Sequence, residues 1–292
     1  MTSILSFVVA AAATLSGTVS VQDAKPGKVT VSVVLADGSK RHAELQGGGR
    51  FEFSGLETGV YEVRIKSGKR TFILPRVLVE PNGIHLPLAM PPSMKEEDRL
   101  AALDAAMASG RSQVRGGLWR EAIESLTGAL KYDSGHAAAW AEISLARVGL
   151  GELDEALAAA NIAIALGPDE DSYFNNAGSI LYRLGRYAEA AERHQAAAEL
   201  NPDGRGVYLS NAAASYVALG RTSDAIRAYE AATSDPNCPA SSWFHLGIAR
   251  MKSGLTEGAI SALQAYLAKE PDGPFAEIAK QRIEFLGGLR LP

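Results

Sequence analysis

The sequence predicts a two-part chain, an all-β sandwich over residues 16–90 followed by an all-α superhelical solenoid. Three observations carry this. Apolar residues recur with period two up to residue 90 and with a helical period after it. The helical part repeats itself every 34 residues, the mark of stacked supersecondary units. Between the halves stands Pro91-Pro92, which holds an extended backbone and cannot continue a strand ladder.

The strands are read from alternation, as in Thr30-Val31-Ser32-Val33-Val34, Arg50-Phe51-Glu52-Phe53, Val60-Tyr61-Glu62-Val63-Arg64 and Val77-Leu78-Val79. Asp37-Gly38, Gly47-Gly48-Gly49, Ser67-Gly68 and Pro81-Asn82-Gly83 break them with residues that tolerate positive φ. Six or seven short strands at this spacing suggest a sandwich. The glycine triplet 47–49 reads as a hairpin turn, because no helix N-terminus follows it to make a phosphate cradle.

Within this half, Gly49 to Val63 runs as a short strand, a Gly55-Leu56-Glu57-Thr58-Gly59 turn and a strand led by Tyr61. That arrangement resembles the carboxypeptidase regulatory-like, prealbumin-type sandwich. The resemblance implies a non-catalytic structural or surface-binding module.

A linker is expected over 91–95, with a helix starting at Ser93, which stands at capping-box spacing before Glu96. In the helical half Gly117, Gly151, Gly185, Gly220 and Gly254 recur, each followed five residues later by Ala122, Ala156, Ala190, Ala225 and Ala259. Seven residues further come Ala129, Ala163, Ala197, Ala232 and Tyr266. Large apolar residues stand at the fourth place in Trp140, Phe174, Leu209 and Trp243, and Pro168, Pro202 and Pro271 close their repeats. Taken together the pattern resembles the tetratricopeptide repeat over 103–136, 137–170, 171–204, 206–239 and 240–273, with one residue inserted near Arg205. Ala106 and Ser109 depart from it in the first repeat, which is expected to be a cap with an irregular first helix; in the fourth, Asn237 replaces proline.

The physics of the pattern is independent of its name. Each unit makes two antiparallel helices, small residues sit where their backbones approach, and a glycine ends the first helix. A helix pair cannot bury its apolar face alone, so neighbours stack and the ends need covers. The expected division is cap and first repeat over 96–136, four repeats over 137–273, and a capping helix and tail over 274–292, with Phe275, Ile278, Ile283, Phe285 and Leu286 on the covering side.

Composition narrows function. The net charge of −4 gives no electrostatic basis for binding nucleic acid. The single cysteine, Cys238, excludes an intrachain disulfide and a thiolate zinc site. The apolar run Ile4 to Ala13, with Ala11 and Ala13 placed like residues before a signal-peptidase cut, reads as part of a leader over 1–15 and predicts a periplasmic or secreted protein, although the start lacks Lys and Arg. If the run is no leader, the protein is cytoplasmic. Ten residues are too few to span a membrane.

His42, His85, His136, His194 and His245 show no metal-ligand spacing, and no nucleophile elbow, phosphate loop or dinucleotide fingerprint occurs. No catalytic residue, metal or cofactor is expected. His194 takes the place of a core aromatic and should be packed.

The family resemblance implies that the first helix of each repeat lines a concave groove. By position this nominates Arg111 and Arg115 in repeat one and Asn175, Asn176, Ser179, Tyr182 and Arg183 in repeat three. Repeat four adds Ser210 and Asn211; repeat five adds Phe244, His245, Met251 and Lys252. Asparagine donates to and accepts from a peptide backbone, and Arg and Lys engage carboxylates. The full Lys/Asn/Lys/Arg clamp of chaperone-binding relatives is absent. A non-catalytic scaffold holding a protein or extended peptide is therefore expected, with a structural envelope component as the alternative and an accessory enzyme subunit behind it.

Overall fold

A computed structural model of the protein describes residues 13–21 and 29–288, which form seven strands and eleven helices. The chain divides into two compact units, 1–169 and 170–292.

The first unit begins with the strands β1 (Ala13–Val21), β2 (Val29–Val34), β3 (Lys40–Glu44), β4 (Arg50–Leu56), β5 (Gly59–Ser67), β6 (Arg70–Val79) and β7 (Ile84–Met90). One sheet has the order β4-β1-β7 and the other β3-β2-β5-β6. The alternation read from the sequence is the sandwich interior: Val31, Val33, Phe51, Phe53, Val63, Ile65, Val77 and Val79 are all buried. β1 is the middle strand of its sheet, antiparallel to β4 and parallel to β7. Gly17 lies opposite both Phe51 and Leu86, and a Cβ there would stand 2.1 Å from the Leu86 carbonyl oxygen. Only glycine admits that approach.

Two expectations change in this region. The glycine triplet is not a hairpin turn: β3 and β4 belong to different sheets, and Gly47–Gly49 is a 3-10 turn that carries the chain across. Turn-forming residues fix φ at Gly48 and Gly49 but do not say which sheet the next strand joins. β1 also starts at Ala13, three residues before the expected edge of the sandwich, and Ala13 and Leu15 are buried in the core. The rest of the expected leader, 1–12, lies outside the described residues.

The same unit continues with α1 (Glu96–Arg115), α2 (Trp119–Leu130), α3 (Ala137–Leu150) and α4 (Leu153–Leu166). Ile162 and Ala165 of α4 are part of the sandwich core, with Trp140 and Leu166 packed against it. Ser134 Oγ donates to the Ala89 carbonyl at 3.0 Å and Trp140 Nε1 to the Ser134 carbonyl at 3.2 Å. Arg76 makes a two-pronged ion pair with Asp169. The compact unit thus closes at residue 169 and not at the prolines, because apolar surface is shared across the linker.

Nor is α1 irregular. It is a continuous helix of 20 residues, since Ala106 and Ser109 cost little helix propensity and Gly110 lets Leu126 of α2 close on it. Its N-cap is Lys95 without a side-chain cap, so Ser93 does not form a capping box. Glu96 pairs with Arg99 instead of reaching back, and Glu96, Glu97 and Asp98 face the positive end of the helix dipole.

The second unit contains α5 (Asp171–Arg183), α6 (Tyr187–Leu200), α7 (Arg205–Ala218), α8 (Thr222–Thr233), α9 (Ala240–Lys252), α10 (Thr256–Lys269) and α11 (Ala276–Gly288). The residue inserted near Arg205 is absorbed by a 3-10 turn at Pro202–Gly204, where the Asn201 side chain accepts from Gly204 N. The repeat anchors behave alike in both units. The recurring glycines have φ between 72° and 79°, and all nine recurring alanines are wholly buried. At Gly185 the bonds from Arg186 N to Leu181 O and from Gly185 N to Tyr182 O end the helix as a Schellman motif.

α11 covers the last repeat. Phe275, just before it, stacks on Phe244 at a centroid distance of 4.4 Å and 8° between planes, and Leu286 is buried. Ile278 and Phe285, expected on the covering side, are 43% and 58% exposed because they fall on the opposite face.

Candidate functional site

Within the second unit, α5, α7, α8 and α9 line a partly open cavity of about 570 Å³. Its walls follow from helical spacing. Ser210, Ala214 and Val217 stand at i, i+4 and i+7 on α7, and Ser241, His245, Ile248 and Lys252 make one face of α9. Tyr182 enters from the end of α5, and Thr222 and Tyr229 enter from α8.

The electrostatics are simple. His245 is half-buried and stacks on Tyr229 at 6.0 Å, and burial lowers its pKa, so the ring is neutral at neutral pH. Burial raises the Tyr229 phenol, with neighbouring Tyr182 a smaller cause. No carboxylate lines the cavity, and Lys252 makes no ion pair among the described residues. Tyr229 is only 3% exposed, and its hydroxyl makes no hydrogen bond among the described residues.

Of the residues nominated from the sequence, Tyr182, Ser210, Asn211, His245 and Lys252 line this cavity. Asn175 and Asn176 are half-buried on α5. Asn175 is turned inward: its Oδ1 accepts from Asn211 Nδ2 at 3.1 Å and faces His194 Nδ1 at 3.1 Å. Arg183 is exposed at the end of α5 and stands outside the cavity lining. Arg111 and Arg115 belong to the first unit, where Arg111 Nε lies 3.5 Å from Glu142 Oε1 and Arg115 is exposed at the end of α1.

Phe244 is a correction. It is 6% exposed, held between Phe275 and Tyr266 in the packing under α11, and is no groove wall. Its neighbour His245, one residue on and about 100° round the helix, takes the cavity face instead. Tyr229 and Thr222 were not nominated, because positional transfer considered first helices only. The other repeats carry Leu126, Ala160, His194 and Leu263 at the place of Tyr229, so a hydroxyl-bearing ring there was the available signal.

His194 is packed as expected. It is 2% exposed, and burial alone carries its pKa down to about 4. Because an amide oxygen only accepts, the neutral ring carries its proton on Nδ1 and donates to Asn175. Among the described residues, no three His, Cys, Asp or Glu side chains cluster as a metal site would require, and no helix is long and apolar enough to cross a membrane.

A family model described as tetratricopeptide repeat matches residues 107–171, 142–205 and 211–274, together more than half of the chain. Solved structures share the helical fold. The crystal structure of MamA is 20% identical with a TM-score of 0.53, covering 58% of this chain and 92% of MamA. YrrB, described as a TPR protein with an unusual peptide-binding site, is 20% identical with a TM-score of 0.51, covering 60% and 90%. PilF from Pseudomonas aeruginosa is 19% identical with a TM-score of 0.54, covering 66% and 91%. No curated protein matches the chain significantly.

Proposed function

Since this chain belongs to the tetratricopeptide-repeat family, we propose that it is a non-catalytic interaction scaffold that holds a protein partner, through an extended segment, on the cavity-bearing face of its second unit. The observation that carries this is the cavity of about 570 Å³, whose walls come from successive repeats and present neutral polar groups, aromatic rings and one unpaired cation. Asn211 has one amide hydrogen committed to Asn175 and keeps a donor and an acceptor for a peptide backbone. The likeness to YrrB, whose description names a peptide-binding site, points the same way.

The sandwich of the first unit is proposed to be of the carboxypeptidase regulatory-like kind, serving as a non-catalytic second contact. The protein is proposed to be exported to the periplasm or beyond, on the strength of the apolar run Ile4 to Ala13. The intact mass of the chain purified from its host decides this: an unprocessed N-terminus would sink the export reading.

A crosslinking pull-down with wild type and an Asn211→Ala/Lys252→Ala variant of unchanged helicity tests groove binding. A partner captured by wild type and lost by the variant is the expected result. Equal capture moves the contact to another surface. A second reading, a structural subunit that stacks against others, is favoured by the exposed Ile278 and Phe285 on α11 and predicts that Phe285→Ser, not the groove variant, abolishes assembly.

A further inference from the structure

The cavity described above has a chemistry more selective than a general peptide groove. Its apolar walls, Val217 and Ile248, and its aromatic ones, Tyr182 and His245, suit a flat hydrophobic side chain. Its unpaired phenol sets a further condition. Tyr229 is 3% exposed and lines the cavity, and its hydroxyl has no hydrogen-bond partner among the described residues. An occupant that is apolar to its tip leaves this hydroxyl desolvated and unpaired, whereas one with a polar tip satisfies it. Charge adds a third condition: with Lys252 unpaired, no carboxylate in the lining and His245 neutral, the site favours an anion beside the aromatic group.

We infer that the cavity takes a tyrosine side chain of an extended peptide, its phenol meeting the Tyr229 hydroxyl, with an adjacent acidic residue at Lys252. This rests on the groove reading and narrows it to one partner chemistry: a tyrosine-acidic segment. A phenol both donates and accepts, so it pairs with Tyr229 whichever way that hydroxyl turns, while phenylalanine has nothing to offer it. Asn211 stands on the same wall to bond the peptide backbone.

The test is fluorescence anisotropy of the full chain with capped, labelled Gly/Ser dodecapeptides carrying a central Tyr-Glu pair, beside Phe-Glu, Ala-Glu and Tyr-Lys analogues. Replacing the peptide's tyrosine by phenylalanine is expected to weaken binding about tenfold, the worth of one neutral hydrogen bond at a partly open site. Tyr229→Phe, which keeps the ring and removes only the hydroxyl, should bring the Tyr-Glu and Phe-Glu affinities together. Lys252→Ala should erase the preference for Tyr-Glu over Tyr-Lys. Equal binding of Tyr-Glu and Phe-Glu by wild type, discrimination that survives Tyr229→Phe, or no binding at millimolar peptide would each overturn the inference. If these fail while the native partner is still lost from the Asn211→Ala/Lys252→Ala variant, the anchor is wrong and the groove stands. If capture is also indifferent to that variant, both fall.

Discussion

Acid should weaken the second unit through one buried side chain. His194 is 2% exposed, and Gly178 leaves so little room that a Cβ there would stand 2.7 Å from the ring. Its folded pKa is about 4, against an ordinary unfolded value of about 6.5. Because the folded value is the lower one, the stabilisation is complete above pH 6.5 and is lost as pH falls from there towards 4. At pH 5 the unfolded ring is almost fully protonated and the folded ring mostly neutral, so the loss relative to pH 7.5 is about 2 kcal/mol. His245 shifts in the same direction, so the reference must keep it. Urea unfolding at both pH values, for wild type and His194→Gln, isolates the effect: wild type should lose about 2 kcal/mol more than the variant. Pressing the same way, protonation would also set a positive charge against the packed face of α5, where Asn175 is the side chain that hydrogen-bonds the ring among the described residues. Parallel pH profiles for the two proteins would refute the reasoning, whatever their absolute stabilities.

Two further substitutions probe the packing. Phe244→Ala removes a 6% exposed ring stacked on Phe275 and should cost about 3–5 kcal/mol, with α11 losing hydrogen-exchange protection first; unchanged protection of α11 would show that the stack does not hold the cap. Gly135→Val places a Cβ 2.3 Å from Leu74 Cδ2 and should cost about 1–3 kcal/mol of first-unit stability, with a smaller penalty in a Leu74→Ala background; equal penalties in both backgrounds would place the strain elsewhere.

Much of this fold is written in short-range signals. Period-two alternation marks Val31, Val33, Phe51 and Phe53 as inward-facing, and the recurring glycines and alanines announce where helices end and where they touch. These features are local, so they survive reading one residue at a time. What escapes is set by partners distant in sequence. Nothing near Gly47 says that β4 joins β1 and not β3, and nothing near Phe244 says that Phe275 will cover it. In the candidate site the first-helix rule found Asn211, His245 and Lys252, since their place on the helix fixes their direction. It missed Tyr229 because a second helix also reaches the cavity, and it misassigned Asn175 because a buried histidine claims its amide oxygen.

The placement of β1 sets an order of events during synthesis. β1 precedes the other described strands in the chain, yet it is held between β4 and β7, and its parallel partner, which pairs Leu15 with Ile84, is the last of those strands to be made. A parallel pair admits no short hairpin shortcut, so the central strand cannot be flanked on both sides until nearly the whole sandwich has been translated. The packing of α4 on that sandwich comes later still. The sandwich of the first unit therefore waits on its last strand, whereas each helix pair of the second unit waits only on the neighbour it stacks against.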